Sequence, residues 1–163
     1  MSSLLAQEHE AAFPAGWEGA WKGDLQIFSK GKITMEIPME LQIAPTDSAG
    51  IFQWTIIYYG EKTDRRAYEL VPVDASIGHY VIDEKNSIFL DAFFNGSTLS
   101  SRFSVGDGLL LITYTLRGEN IEMNIFFGGQ EKKQKTGEEV ENVGDIYSYP
   151  VGSLHRAVLR KAS

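Results

Sequence analysis

In the stretch KITMEIPMELQI, residues 32–43, every second side chain is apolar: Ile33, Met35, Ile37, Met39, Leu41 and Ile43. Between them stand Thr34, Glu36, Pro38, Glu40 and Gln42. A helix would scatter this pattern around its circumference. An extended strand sorts it cleanly, because successive side chains point to opposite faces. One face is therefore dry and the other wet. Pro38 brings no N–H to a ladder, so pairing must be interrupted there, at a bulge or an edge.

The same period runs through most of the chain. In GWEGAWKGDLQIF, residues 16–28, one face carries Trp17, Gly19, Trp21, Gly23, Leu25 and Ile27. Glycines on the face of the tryptophans make room for an indole or for a sharp bend. IFQWTIIYYG places Phe52, Trp54, Ile56 and Tyr58 together. Further strands are predicted in RRAYELVPV, GHYVID, SIFLDAFF, LSSRFSV, GLLLITYTLR, IEMNIFF and YSYPVGSLHRAVLRK. The connectors are short, and short links join antiparallel neighbours, since a parallel crossover needs about a dozen residues or more. Phe94-Asn95-Gly96-Ser97 predicts a hairpin with a type I′ turn at Asn-Gly. The same Asn95-Gly96-Ser97 is a glycosylation sequon by pattern. One segment, residues 128–145, is charged and aperiodic and predicts a mobile loop.

About ten strands in sequential hairpins, with one long connection, point to an all-β fold: a single antiparallel up-and-down β-barrel over residues 16–163, behind a flexible segment 1–15. Closure removes the edges that strands this hydrophobic would otherwise expose. A barrel of that width is not easily filled by side chains alone, so a packed interior and a ligand cavity both remain open.

Composition narrows the function. The net charge of -7 opposes nucleic acid, whose partners carry basic faces, and opposes an anionic membrane surface. No apolar run reaches the roughly 20 residues of a membrane-spanning helix. With no cysteine there is no disulfide, thiolate metal site or Cys nucleophile, and the compartment stays undetermined. SLLAQ near the start reads either as the tail of a trimmed export signal or as a frayed terminus.

No enzyme constellation emerges. The three histidines, His9, His79 and His155, lack metal-ligand spacing, and no nucleophile elbow accompanies the serines. Alternation places Trp17, Trp21, Trp54, Tyr58, Tyr68 and Phe103 inward, with Met35 and Met39. Trp54, Tyr58, Tyr68, Phe103, Met35 and Met39 are the candidate walls of a pocket, and equally the filling of a core. Arg66 shares the parity of Tyr68 and Leu70. If interior it needs a carboxylate, from the protein or a ligand; at a strand mouth it reaches water instead. The resulting expectation is a non-catalytic binder of a small hydrophobic or amphipathic molecule, with no cofactor.

Gly19-Ala20-Trp21 resembles the Gly-x-Trp element in the first strand of calycins, the superfamily of lipocalins and fatty-acid-binding proteins. The resemblance implies that Trp21 closes one end of the barrel against an arginine of the last strand, Arg156 or Arg160. Within that superfamily, Gly19-Ala20-Trp21-Lys22-Gly23 and a histidine near the C-terminus are similar to nitrobindins. That likeness implies haem as an alternative ligand, with His155 as its axial group. A packed barrel serving as a structural or interaction module is the remaining alternative.

Overall fold

The computed structural model describes residues 12–131 and 133–163. The chain forms strands β1 (Gly19–Ser29), β2 (Lys32–Pro45), β3 (Phe52–Tyr59), β4 (Thr63–Asp74), β5 (His79–Asp83), β6 (Phe89–Asn95), β7 (Thr98–Val105), β8 (Gly108–Arg117) and β9 (Asn120–Gly129). Two short strands, β10 (Gln134–Thr136) and β11 (Ile146–Ser148), precede β12 (Ser153–Lys161). Strands β1 to β9 and β12 close a ten-stranded antiparallel barrel, in which β12 joins β9 to β1 and all other neighbours are consecutive. The fold class expected from alternation is the one observed.

Local chemistry explains the register. Three hairpins turn through Gly96-Ser97, Gly106-Asp107 and Gly118-Glu119, each with positive φ at glycine. The Asn95 hairpin is where the sequence placed it, but its turn differs. Asn95 pairs with Thr98 in the ladder, and the glycine takes the first central position, the pattern of a type II′ turn. Pro38 pairs with Asp24 of β1, whereas β2 meets β3 only from Met39 onward. At Pro38 the strand has already parted from β3, so no donor is wanted on that side.

Of the two reasons for glycines on the tryptophan face, Gly23 serves close approach of the neighbouring strand and not an indole. A methyl group there would collide with the Val158 carbonyl oxygen and crowd Leu159. The pairing of β1 with β12 skips from Lys22 to Leu25 around it. Glycine thus lets the strand bend tightly against its neighbour at the closure.

The two ends of the barrel differ. One is plugged by a 3₁₀ turn, Ala15–Trp17, whose Trp17 is buried against Trp54 and Phe94. Phe13 stacks on Phe94, ring centroids 4.0 Å apart, and meets Trp17 and Tyr80 edge-on. Trp17 therefore belongs to the plug and not to the first strand, a correction to its expected place. Below mid-height the lumen is solid: Leu41, Trp54, Leu70, Leu99, Ile121, Met123 and Leu159 have no accessible surface. At the other end the strands run past this core and the lumen opens.

Two sequence expectations need revision here. The stretch 128–145 is not free of regular structure: it contains the end of β9 and β10, and β10 pairs with β11 beyond it as a small separate hairpin. The final strand begins only at Ser153, after Tyr149–Val151 has crossed the outer face of β9 above Gly128, where a side chain would collide with the Pro150 carbonyl. The expected flexible segment 1–15, with SLLAQ and His9, lies mostly outside the described residues. Within them, Phe13 is packed in the plug. Among the described residues no helix is long and apolar enough to cross a membrane.

Candidate functional site

The open half of the barrel holds a cavity of about 720 Å³. Its composition follows from strand parity. The lumenal positions above the core are Leu25 and Ile27 on β1, Ile37 on β2, Leu110 on β8, and Ile125 and Phe127 on β9. These form an apolar wall contributed by four of the ten barrel strands. Tyr58 on β3 and Asp64 and Arg66 on β4 make the facing polar wall, joined by Lys62 in the β3–β4 turn. Ser153 and His155 enter from β12.

Arg66 is half-exposed at the mouth. Its Nε and Nη2 both donate to Asp64 Oδ2, at 3.1 and 2.9 Å, and its guanidinium lies 5.1 Å from the centre of the Tyr58 ring. Asp64 and Arg66 meet because residues two apart on a strand share a face. The carboxylate that Arg66 required is thus supplied by its own strand, and the charge sits at the mouth. Burial raises the Tyr58 phenol above its ordinary range, with Arg66 pulling the other way. Tyr68, one step deeper on β4, is raised by burial and by the Glu84 carboxylate.

His155 faces the cavity between Ile27 and Ile125, its cross-strand partners on β1 and β9. Burial alone lowers its pKa, so the imidazole is neutral at neutral pH. Further down, burial pushes the Tyr114 phenol well above its ordinary value. Its ring stands edge-on to Trp54 at 5.1 Å. Among the described residues the buried Trp54 indole N–H finds no acceptor in hydrogen-bond geometry, although it lies near enough to the Tyr114 hydroxyl to favour the phenolate.

The expected wall residues divide by height. Tyr58 and Arg66 line the cavity. Trp54, at 0% exposure, belongs to the solid core beneath it, and Met39, at 2%, is buried level with Tyr58, its cross-strand partner. Met35 has the right parity but stands 53% exposed, beyond the rim, where β2 pairs with β1 alone. Phe103 is half-buried on the lumenal face of β7, opposite Leu110. Leu25, Ile27, Ile37, Leu110, Ile125, Phe127 and Asp64 were not singled out from the sequence, though each carries lumenal parity.

At the closed end Trp21 is buried and donates from Nε1 to the Trp17 carbonyl oxygen. The arginine expected over it is corrected: Arg156 faces outward near Glu122, and Arg160 is exposed on the outer parity. The cation over the indole is Lys161, with Nζ 5.6 Å from the ring centre. Lys161 is the direct cross-strand partner of Trp21 and carries the parity of Leu159, which the two arginines do not. Gly19, at φ +141°, leaves the space that the Lys161 stem occupies.

His79 lies on the outside, stacked on Phe93 at 4.4 Å and bonded to Asp91 at 2.8 Å. The hydroxyl of Ser101 donates to the main-chain oxygen of Asp91 at 2.7 Å, and among the described residues no hydroxyl is bonded to the His79 ring or the Asp91 carboxylate. Nor does any group of three or more His, Asp or Glu side chains there stand ready to hold a metal ion. Compared with family models, curated proteins and solved structures, the chain has no significant match.

Proposed function

We propose that this calycin-like barrel is a non-catalytic binding protein for a small hydrophobic or amphipathic molecule held in the open half of its lumen. The observation that carries the reading is the cavity of about 720 Å³, with an apolar wall facing the Arg66–Tyr58 pair. Affinity would come from withdrawing ligand surface from water, at about 25 cal/mol per Å² of apolar area, while the polar wall orients the ligand. Displacement of a hydrophobic fluorescent dye by fatty acids and retinoids tests it. Ligands should displace the dye from wild type and much less well from an Ile125→Glu variant. A dye that never enters the wild-type barrel refutes the reading.

A second reading is favoured by one observation, the neutral His155 imidazole on the lumen wall between two isoleucines. That donor fits the axial group of a haem, and the surrounding apolar wall fits a macrocycle. Bound haem would supply redox and diatomic-ligand chemistry; His155 would hold the iron and Ile27, Ile125 and Phe127 would exclude water. Hemin added to the protein should then give a Soret band that His155→Ala loses. The third reading, a barrel packed throughout, has the open upper lumen against it.

A further inference from the structure

We propose that the ligand is a carboxylate with an apolar body, and that Asp64 is an internal stand-in for its acid group, displaced from Arg66 on binding. This rests on the reading of the lumen as a binding cavity and names what it selects.

The charged side chains lining the cavity are Lys62, Asp64 and Arg66, all on one wall. A ligand that fills the lumen meets carbon on one side and a guanidinium on the other, which is the chemistry of an amphipathic acid. An amine would face Arg66 and Lys62 with like charge, and an alcohol would leave Arg66 on its one-oxygen pairing with Asp64.

Arg66 is prepared for such a group and only partly spent. It has five N–H donors in a planar fork, and two of them converge on a single oxygen of Asp64. The parallel two-oxygen geometry that makes Arg–carboxylate pairs strong is therefore not formed. Among the described residues no other carboxylate reaches it. The guanidinium also lies over the Tyr58 ring, 5.1 Å from its centre, a cation–π contact that helps hold it at the mouth.

Asp64 is held weakly by comparison. Both side chains of the pair are about half exposed, 46% for Arg66 and 51% for Asp64. Exposed pairs of this kind contribute little, and Asp64 has open solvent to swing into. An incoming carboxylate, carried by a tail that leaves water, competes for Arg66 with more driving force than Asp64 brings. While no ligand is bound, Asp64 keeps the guanidinium from being an uncompensated charge at an apolar mouth.

The test uses dodecanoic acid and dodecan-1-ol as matched probes, titrated by calorimetry at neutral pH into wild type, Asp64→Asn, Arg66→Gln and Arg66→Lys. Wild type should bind the acid about tenfold more tightly than the alcohol. Asp64→Asn should tighten the acid by about two- to fivefold and leave the alcohol unchanged, because the competitor is gone. Arg66→Gln should erase the preference while keeping alcohol affinity, and Arg66→Lys should restore part of it. Equal affinity for acid and alcohol, or an Asp64→Asn variant that binds the acid no better, overturns the proposal and leaves cavity binding intact. Failure of wild type to bind either probe overturns both. Melting curves of the variants separate loss of fold from loss of selectivity.

Discussion

The indole N–H of Trp21 donates to the main-chain oxygen of Trp17 at 2.9 Å, both residues buried, and so ties the plug to the first strand of the barrel. Replacing Trp21 by Phe removes that donor, orphans the carbonyl and vacates part of the space beneath Lys161. We expect a loss of about 2–4 kcal/mol in urea unfolding, from the buried hydrogen bond and the truncated ring together. A loss below about 0.5 kcal/mol would show that the plug does not depend on this bond.

Gly23 and Val158 make the tightest approach at the closure of the barrel. Gly23→Ala places its methyl group against the Val158 carbonyl oxygen, which belongs to backbone and has nowhere to move. The expected cost is about 2 kcal/mol or more, read as a lowered unfolding midpoint. Gly31→Ala is the control for positive φ alone, since nothing lies within 4 Å of its added carbon. It should cost less.

Met35 and Met39 share a face of β2 and differ only in height. Met39→Ala should cost about 2–5 kcal/mol, the range for a methionine emptied from a core. Met35→Ala should stay within about 0.5 kcal/mol. Chemical denaturation of the two variants side by side decides whether the solid core ends between them.

His155 carries a pKa lowered by burial, so the folded state resists its protonation. The unfolded chain binds the proton more readily, and stability therefore falls as pH drops below about 6.5, the ordinary histidine value, until the folded pKa is passed. Above that window the group has no effect. His155→Gln should remove this acid-side decline and flatten the dependence of the melting temperature on pH below about 6.5. An unchanged slope would place the decline elsewhere.

Tyr114 behaves in the opposite sense. Its folded pKa is raised by burial, so its share of stability is complete below about pH 10 and is lost as pH climbs above the unfolded value. In a spectrophotometric titration, one phenol should ionise only as the barrel unfolds, and Tyr114→Phe should abolish that late step.

Much of this molecule is legible in its residue order. Alternation with apolar residues at odd positions of β1, β2 and β12 and at even positions of β3, β4 and β8 sets which way each side chain faces, and short turns dictate antiparallel neighbours. The parity of Lys161 with Leu159 was also there to be read; counting by twos from His155 places Arg156 and Arg160 outside. Asp64 could have been paired with Arg66 on the same ground, two residues apart on one strand.

Height along the barrel axis is not legible, and the site depends on it. Period two says inside or outside, but it carries no information about where neighbouring strands end. Met35, Met39, Trp54 and Tyr58 all read as lumenal. Only the register of β2 against β3, and the point near Pro38 where they part, leaves Met35 past the rim, sets Met39 level with Tyr58 at the base of the cavity and puts Trp54 deeper in the solid core. Trp17 is a similar case, because a 3₁₀ turn before β1 takes it out of the strand and makes it a stopper. The residue order determined faces, turns and antiparallel pairing, all of which arise between chain neighbours. The plugged end and the meeting of Ile27, His155, Ile125 and Arg66 around one space were decided by tertiary structure, because they join residues distant in the chain whose spacing depends on how the strands stagger.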